Sequence, residues 1–415
     1  MENNIKAKIQ NKTIEVESYH SLYNHDNLYS RELKIIDRDG RIITNHDGKK
    51  FIDFINCSYL GLEVDPYVIA GAMKIMNKWG VYYSASRLRT RIEELDMLDK
   101  SLQALFADYN IVTFSNLKSC HSGVLPLLAT GQVPTVNWKR EPVFLVDTTA
   151  HSTLQQTRDS LAHFGNLVRL DFSDLNAVED VIRKISFSGN TVFLICDGVG
   201  SMGGLVDVKN IVNLIERYGG FMYIDDAHGV SSIGLNGQGY VLDQLNYLKH
   251  EQVILSGSLS KGFGAFGGFV GFYNDEASSY IKRNCSSYTF SGPLPVPSIG
   301  AALASCELHV TNQIADKQLK LSENIEYFDS LFTDININEN RFKKSPIRTI
   351  NIGDAASTVS TGYKIFQSGI SCNVAIYPVV PKNSGILRFA FSSLHTKKQI
   401  DLIYNAIKNS LHLGG

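Results

Sequence analysis

Residues 221–229 read Phe221-Met222-Tyr223-Ile224-Asp225-Asp226-Ala227-His228-Gly229. A short apolar run stops at two acids, an alanine, a histidine and a glycine. Runs of this kind, bounded by turn residues, read as buried strands. In open α/β sheets ligands bind beyond the carboxyl ends of the strands, which is where these polar groups fall. Asp225 then has two readings. It caps a following segment, a common task for an aspartate after a strand, or it is a buried carboxylate that serves a site.

A second stretch bears on the choice: Ser256-Gly257-Ser258-Leu259-Ser260-Lys261-Gly262-Phe263-Gly264. Here a lysine follows the apolar strand Val253–Leu255 and sits among small residues. One reading is a solvated lysine in a flexible loop. The other is a Schiff-base lysine, which must be partly desolvated to become a neutral nucleophile and must reach a preformed cavity. Serine hydroxyls beside it suit phosphate oxygens. A third stretch, Val146-Asp147-Thr148-Thr149-Ala150-His151-Ser152, also ends a strand in polar residues. A lone histidine after a strand is more often structural than catalytic, so His151 gains weight only from its company.

Outward from these stretches the chain alternates short apolar strands (Ile111–Phe114, Val143–Val146, Leu167–Leu170, Val192–Cys196, Phe221–Ile224, Gln252–Leu255, Gly268–Phe272) with helical stretches that include Asn176–Ile185 and Lys209–Tyr218. This rhythm predicts an α/β fold with a mostly parallel sheet. Helical spacing also marks residues 65–80 and 92–106. Residues 1–60 read as an N-terminal arm with hairpin signals at Asp39-Gly40 and Asp47-Gly48. Residues 61–312 form the large domain. From 313 to 415 a long helix (Asp316–Phe332), strands near Ile347–Ile352, Asn373–Tyr377 and Ile386–Phe391, and a closing helix from Lys397 predict a smaller α+β domain.

The 415 residues exceed one simple core, so a large domain with a smaller companion is natural. A net charge of −1 disfavours electrostatic capture of nucleic acid or an anionic membrane. No apolar run approaches the roughly 20 residues that cross a bilayer, and the polar first residues lack a signal core. The six cysteines form no Cys-x-x-Cys pair, so neither a zinc site nor a disulfide framework is indicated. No metal is expected, and a reducing cytoplasm is the simplest compartment. Cys196 and Cys306 read as core.

Together the three stretches resemble the α-oxoamine synthases, a branch of the fold-type I enzymes that use pyridoxal 5'-phosphate (PLP). The resemblance runs from about residue 50 to 410. Its most specific pieces are Asp225–Gly229 and Ser260-Lys261-Gly262-Phe263-Gly264-Ala265-Phe266-Gly267-Gly268. Tyr59-Leu60-Gly61-Leu62, the glycines 234, 237 and 239, Tyr377-Pro378-Val379-Val380-Pro381, Leu387-Arg388 and His395-Thr396 support it. The resemblance implies that Lys261 holds the cofactor and later moves the Cα proton, and that Asp225 pairs with the pyridinium nitrogen. It implies that His228 and Ser201 lie near the phenolic oxygen and that His151 stacks on the ring. Ser258, Ser260 and the backbone near Lys118 and Ser119 are implied for phosphate, and Ser291 for the partner's cofactor in a homodimer. Arg388 is implied for the amino acid's carboxylate, a bidentate task that suits a guanidinium.

The implied reaction is a decarboxylating condensation of an amino acid with an acyl thioester, carried by CoA or an acyl carrier protein, to an α-aminoketone. Another fold-type I reaction, transamination or elimination, uses the same lysine and aspartate. A catalytically silent partner subunit is the third reading, and the retained Lys261 argues against it. The chain departs from the family's pattern at Cys57 and His121, where asparagine is usual, at Leu117-Lys118, at Gly292 and at Asp96. Residues 84–91 are rich in arginine and suit either phosphates of an acyl carrier or an interface. These departures cluster around substrate, which points to unusual substrates, such as those of a signal or secondary-metabolite branch.

Overall fold

The computed structural model describes residues 12–19, 21–22, 33–138, 140–332 and 344–411. The expectation for residues 1–11 lies outside them. Backbone contacts divide the chain into two compact units, Leu60–Leu319 and Met1–Tyr59 with Lys320–Gly415.

In the second of these, residues 12–19 are helical, and two antiparallel hairpins follow, β1 (Ile35–Asp39) with β2 (Ile42–Asn45) and β2 with β3 (Lys50–Asp53). They turn at the two Asp-Gly pairs, where Gly40 and Gly48 take positive φ.

The larger unit is built on seven strands: β4 (Asn110–Phe114), β5 (Pro142–Asp147), β6 (Asn166–Leu170), β7 (Thr191–Asp197), β8 (Phe221–Asp225), β9 (Val253–Ser258) and β10 (Gly268–Phe272). Their order is β4-β10-β9-β8-β7-β5-β6. Strands β5 to β9 pair in parallel, and β10 is antiparallel to both its neighbours. All six residues of β5 and of β9 are buried, which a parallel sheet covered on both faces requires. Side chains alternate between the faces. Leu145, Leu194, Met222, Ile224 and Leu255 join one core, and Phe144, Phe193, Tyr223 and Ile254 the other.

The helix Val208–Tyr218 shows why the first core is stable. Asp207 caps it through the Asn210 amide, and Val208, Ile211, Val212, Leu214 and Ile215 are buried along one stripe. Each such side chain contributes roughly 1.5–3 kcal/mol on burial. On the other face lies the helix Leu117–Ala129, capped by the Asn116 side chain through the Ser119 amide.

The remainder of the other unit has β11 (Ile347–Gly353), β12 (Ile370–Ser371), β13 (Asn373–Ala375) and β14 (Gly385–Ala390). β12 extends the β1–β3 sheet in parallel with β3, while β11-β14-β13 form an antiparallel sheet. Thr396 and Gln399 cap the closing helix Lys397–Ser410 reciprocally. Within this unit Arg348 grips Asp329 with two bonds of 2.8 Å, both side chains buried.

Candidate functional site

Three adjacent parallel strands end in aspartate: β5 in Asp147, β7 in Asp197 and β8 in Asp225. Asp147 and Asp197 build a platform. Asp147 accepts from the Thr149 amide (3.1 Å) and hydroxyl (2.8 Å), and Asp197 accepts the His151 amide at 2.7 Å. The loop that carries His151 is thereby pinned between two strand ends. Sequence reading passed over Asp197; its signal was the acid that closes the apolar run Val192–Cys196, a pattern shared with β5 and β8.

Strand alternation decides the fates of the two consecutive acids. Asp225 shares the face of Tyr223 and points toward the helix Leu117–Ala129, whose His121 brings Nε2 to 3.7 Å from Asp225 Oδ2. Asp226 goes the opposite way, where its Oδ2 accepts the Val241 amide at 2.9 Å. Side chains at Gly229 or Gly239 would overlap its carboxylate. So Asp226 organises the loop from 226 to 241, which accounts for Gly229 and Gly239.

Asp225 is also buried. Its Oδ1 accepts the Ala227 amide at 2.9 Å. Its Oδ2 faces His121 Nε2 at 3.7 Å, beyond hydrogen-bonding distance. Burial pushes its carboxyl up to about 6, with Lys261 opposing the rise. An ionised carboxylate left this poorly satisfied favours a cationic partner.

Lys261 lies in the loop between β9 and β10. It is half-buried, and its Nζ lies 2.8 Å from Nε2 of the buried His228. The strand before it is longer than the apolar pattern indicates. β9 continues through Ser256, Gly257 and Ser258 because these pair with Val270, Phe269 and Gly268 of β10. The loop after Lys261 returns so tightly that a side chain at Gly264 would collide with Leu62.

The other expected residues divide. Ser258 is buried, and its hydroxyl accepts the Ser260 amide at 3.1 Å. Ser260 is exposed, its Oγ facing the Gly267 backbone at 3.3–3.4 Å. Ser119 lies in the first turn of the helix Leu117–Ala129, and the side chain of Lys118 is exposed there. The backbone of Leu117 lies so close to Gly268 that a Cβ would stand 2.6 Å from it. Ser201 is half-buried in the turn closed by the Gly200 amide on the Gly204 carbonyl (2.7 Å). Ser291 is exposed and donates to the Ser287 carbonyl. In the smaller unit Arg388 is buried on β14, with its Nη2 3.4 Å from Cys57 Sγ.

The arginine-rich loop loses much of its apparent charge. Arg87 is buried, donates to the Thr113 carbonyl at 2.6 Å and lies over the Tyr288 ring at 4.0 Å. Arg91 pairs with Asp96 at 2.7 Å.

The site residues fit PLP. A buried carboxylate suited to a cation, a lysine amine against an imidazole, and a helix amino end whose first amides suit phosphate occur in one unit. Residues 165–407 match the family model described as aminotransferase class I and II. Over 394 residues the chain is 27% identical to an 8-amino-7-oxononanoate synthase of Alkaliphilus oremlandii, covering 91% of this chain and 92% of that one. It is 26% identical over 361 residues to a serine palmitoyltransferase of Bacteriovorax stolpii, covering 86% and 81%. Among solved structures, a serine palmitoyltransferase from S. paucimobilis with a bound PLP–myriocin aldimine matches with a TM-score of 0.81 at 19% identity, covering 98% of each chain. The Sphingomonas wittichii serine palmitoyltransferase matches with a TM-score of 0.81 at 18% identity and 96% coverage of each.

Proposed function

Since the chain belongs to the aminotransferase class I and II family, in its α-oxoamine synthase branch, we propose that it is a PLP-dependent acyltransferase that condenses an amino acid with an acyl thioester and releases carbon dioxide. The observation that carries this reading is the buried Asp225 carboxylate, with Lys261 as the charge that opposes its protonation. PLP, when bound, supplies an electron sink for charge at the amino acid's Cα.

The chain's own groups do the rest. With the cofactor bound, Asp225 would hold a proton on the pyridine nitrogen, and that charge pair would keep Asp225 ionised. Lys261 Nζ would hold the cofactor, and the same amine would take the Cα proton of the bound amino acid. His228 Nε2, 2.8 Å from that amine, accepts a proton from Nζ or returns one to it. The amino end of the helix Leu117–Ala129, with Lys118 and Ser119 in its first turn, receives phosphate, and Ser258 and Ser260 shape the lysine loop beside it. Ser201 and His151 complete the cofactor's surroundings. Arg388 binds the amino acid's carboxylate. Acyl-CoA is the simplest thioester, and an acyl carrier protein serves the same chemistry.

The larger unit exposes Val81, Leu88, Met97 and Phe290, the last at 85%. Large apolar side chains left exposed suit association, which is compatible with a homodimer in which Ser291 serves the partner's cofactor. No helix among the described residues is long and apolar enough to cross a membrane. We place the enzyme in the cytoplasm.

The test is product analysis. PLP-loaded protein is mixed with a panel of amino acids and an acyl thioester, and free thiol and carbon dioxide are measured. Release of both, reduced by orders of magnitude in Asp225→Asn, supports condensation. A keto acid formed without thiol release would overturn it in favour of transamination, and failure to take up PLP would point to a silent subunit.

A further inference from the structure

His121 has no exposed surface, and it stands where the family's usual residue is asparagine. Its Nδ1 lies 3.1 Å from Thr153 Oγ1, and its Nε2 faces Ser256 Oγ at 3.4 Å and Asp225 Oδ2 at 3.7 Å. The same Thr153 hydroxyl lies 2.8 Å from His151 Nδ1. One hydroxyl thus stands between two imidazoles, and the chain of groups runs from the strand end of β8 to the pinned loop after β5.

A hydroxyl has one hydrogen. Thr153 donates to one ring and accepts from the other. Burial depresses His121 to about 3, so this ring is neutral and carries one proton. Two arrangements follow. In the first, His121 Nε2–H points at an ionised Asp225, Thr153 donates to His121 Nδ1, and His151 donates from Nδ1 to Thr153. His151 Nε2 is then bare. In the second, Asp225 is protonated, His121 carries its proton on Nδ1 and donates to Thr153, and Thr153 donates to His151 Nδ1. His151 Nε2 then carries the proton. The Thr153 amide, 3.3 Å from His151 Nδ1, favours this second setting, whereas the Ser256 hydroxyl, which donates to the Ile224 carbonyl at 3.2 Å, is left to accept from His121 Nε2 and favours the first. No proton is created or lost along the chain except the one on Asp225.

We propose that Asp225, His121, Thr153 and His151 form one hydrogen-bond relay in which the charge on Asp225 sets the tautomer of His151. An asparagine at 121 lacks this property, because an amide does not exchange its donor and acceptor ends by moving one proton. His121 and Thr153 are positioning residues. The value of the relay to the enzyme rests on the PLP reading: a cation at Asp225 selects the first arrangement and converts His151 Nε2 from donor to acceptor. The existence of the relay does not rest on that reading.

The ionisable groups that bear on Asp225 are His121, Lys261 with His228 behind it, Asp197 on β7, the adjacent Asp226, Tyr223 on its own strand, and the thiols Cys120 and Cys196. Of these, His121 is the group hydrogen-bonded to Thr153.

The test uses the cofactor-free protein with histidine-selective ¹⁵N labelling, followed by NMR between pH 5 and 7.5. Signals are assigned with His121→Asn and His151→Gln. The relay requires the His121 and His151 nitrogens to shift together at one midpoint, set by Asp225. Asp225→Asn removes that shift from both rings. Thr153→Val removes it from His151 and leaves it in His121, while Thr153→Ser restores it. A His151 shift that survives Asp225→Asn, or that is the same in Thr153→Val as in the wild type, overturns the relay. If Thr153→Val does not fold, the Asp225→Asn comparison decides. PLP is then added and uptake is read by visible absorbance. Absence of uptake sinks the cofactor reading and leaves the relay standing, and the reverse outcome is equally distinct.

Discussion

Gly239 closes over the carboxylate of Asp226 so tightly that any Cβ at this position would overlap Oδ2. Its φ of +95° is also one that side chains disfavour. Two penalties therefore coincide, neither relieved by a flexible side chain giving way, because Asp226 is held by the Val241 amide. Gly239→Ala should destabilise the protein by about 2–4 kcal/mol, read as a lowered urea midpoint with unchanged slope. A midpoint within error of the wild type would show that the loop accommodates the methyl group.

The charge on Asp225 should be visible in stability. Its carboxyl rises from 3.8 to about 6 on folding, mainly by burial. Below about pH 4 both folded and unfolded states hold the proton, and the group costs nothing. Between 4 and 6 the unfolded chain ionises first, so stability falls as pH rises, and the loss of about 3 kcal/mol persists above 6. In the cofactor-free protein Asp225→Asn should therefore be more stable than the wild type at pH 8, with the gain shrinking below pH 4. Asp197, which Asp225 also pushes upward, changes in the same direction. Denaturation midpoints of both proteins at pH 4 and pH 8 check this, and equal midpoints at pH 8 contradict it.

Arg348 and Asp329 are both buried and joined by two 2.8 Å bonds. Removing one partner strands the other charge away from water. Asp329→Ala should cost about 3–5 kcal/mol. Replacing both by apolar residues of similar size should cost far less. Thermal denaturation of the two variants distinguishes a true charge penalty from lost packing, which predicts similar losses for both.

Cys57 Sγ lies 3.4 Å from Arg388 Nη2, in the place where the family usually has asparagine. If Arg388 binds the amino acid's carboxylate, then Cys57→Asn should alter KM for the amino acid several-fold and leave KM for the thioester unchanged. Steady-state kinetics with each substrate varied in turn reads this split. A change confined to the thioester's KM contradicts the assignment.

Much of the larger unit was legible in the sequence because buried parallel strands are continuous apolar runs. β5, β7 and β8 stand within a residue or two of their apolar patterns. β9 was read short, since Ser256-Gly257-Ser258 offers no apolar signal and its strand character comes from pairing with β10. Lys261, Asp225 and His228 were legible as motif residues. Thr153 was not: nothing in Ser152-Thr153-Leu154-Gln155 marks a hydroxyl shared by two imidazoles, and the contact exists only because the helix Leu117–Ala129 delivers His121 to it. Arg87 shows the same limit in reverse. Composition counts its charge as available, whereas the fold spends it on a backbone carbonyl and a tyrosine ring.

The pairing of Asp197 with Asp225 across β7 and β8 has a consequence for how the gene can change. Deleting a single residue within β8 would rotate the strand's output by half a turn and present Asp226 where Asp225 now stands. The loop would lose its organiser and the site its carboxylate in one event. Chemistry in this protein is thus indexed by backbone register, and a change in strand length is more damaging there than most substitutions.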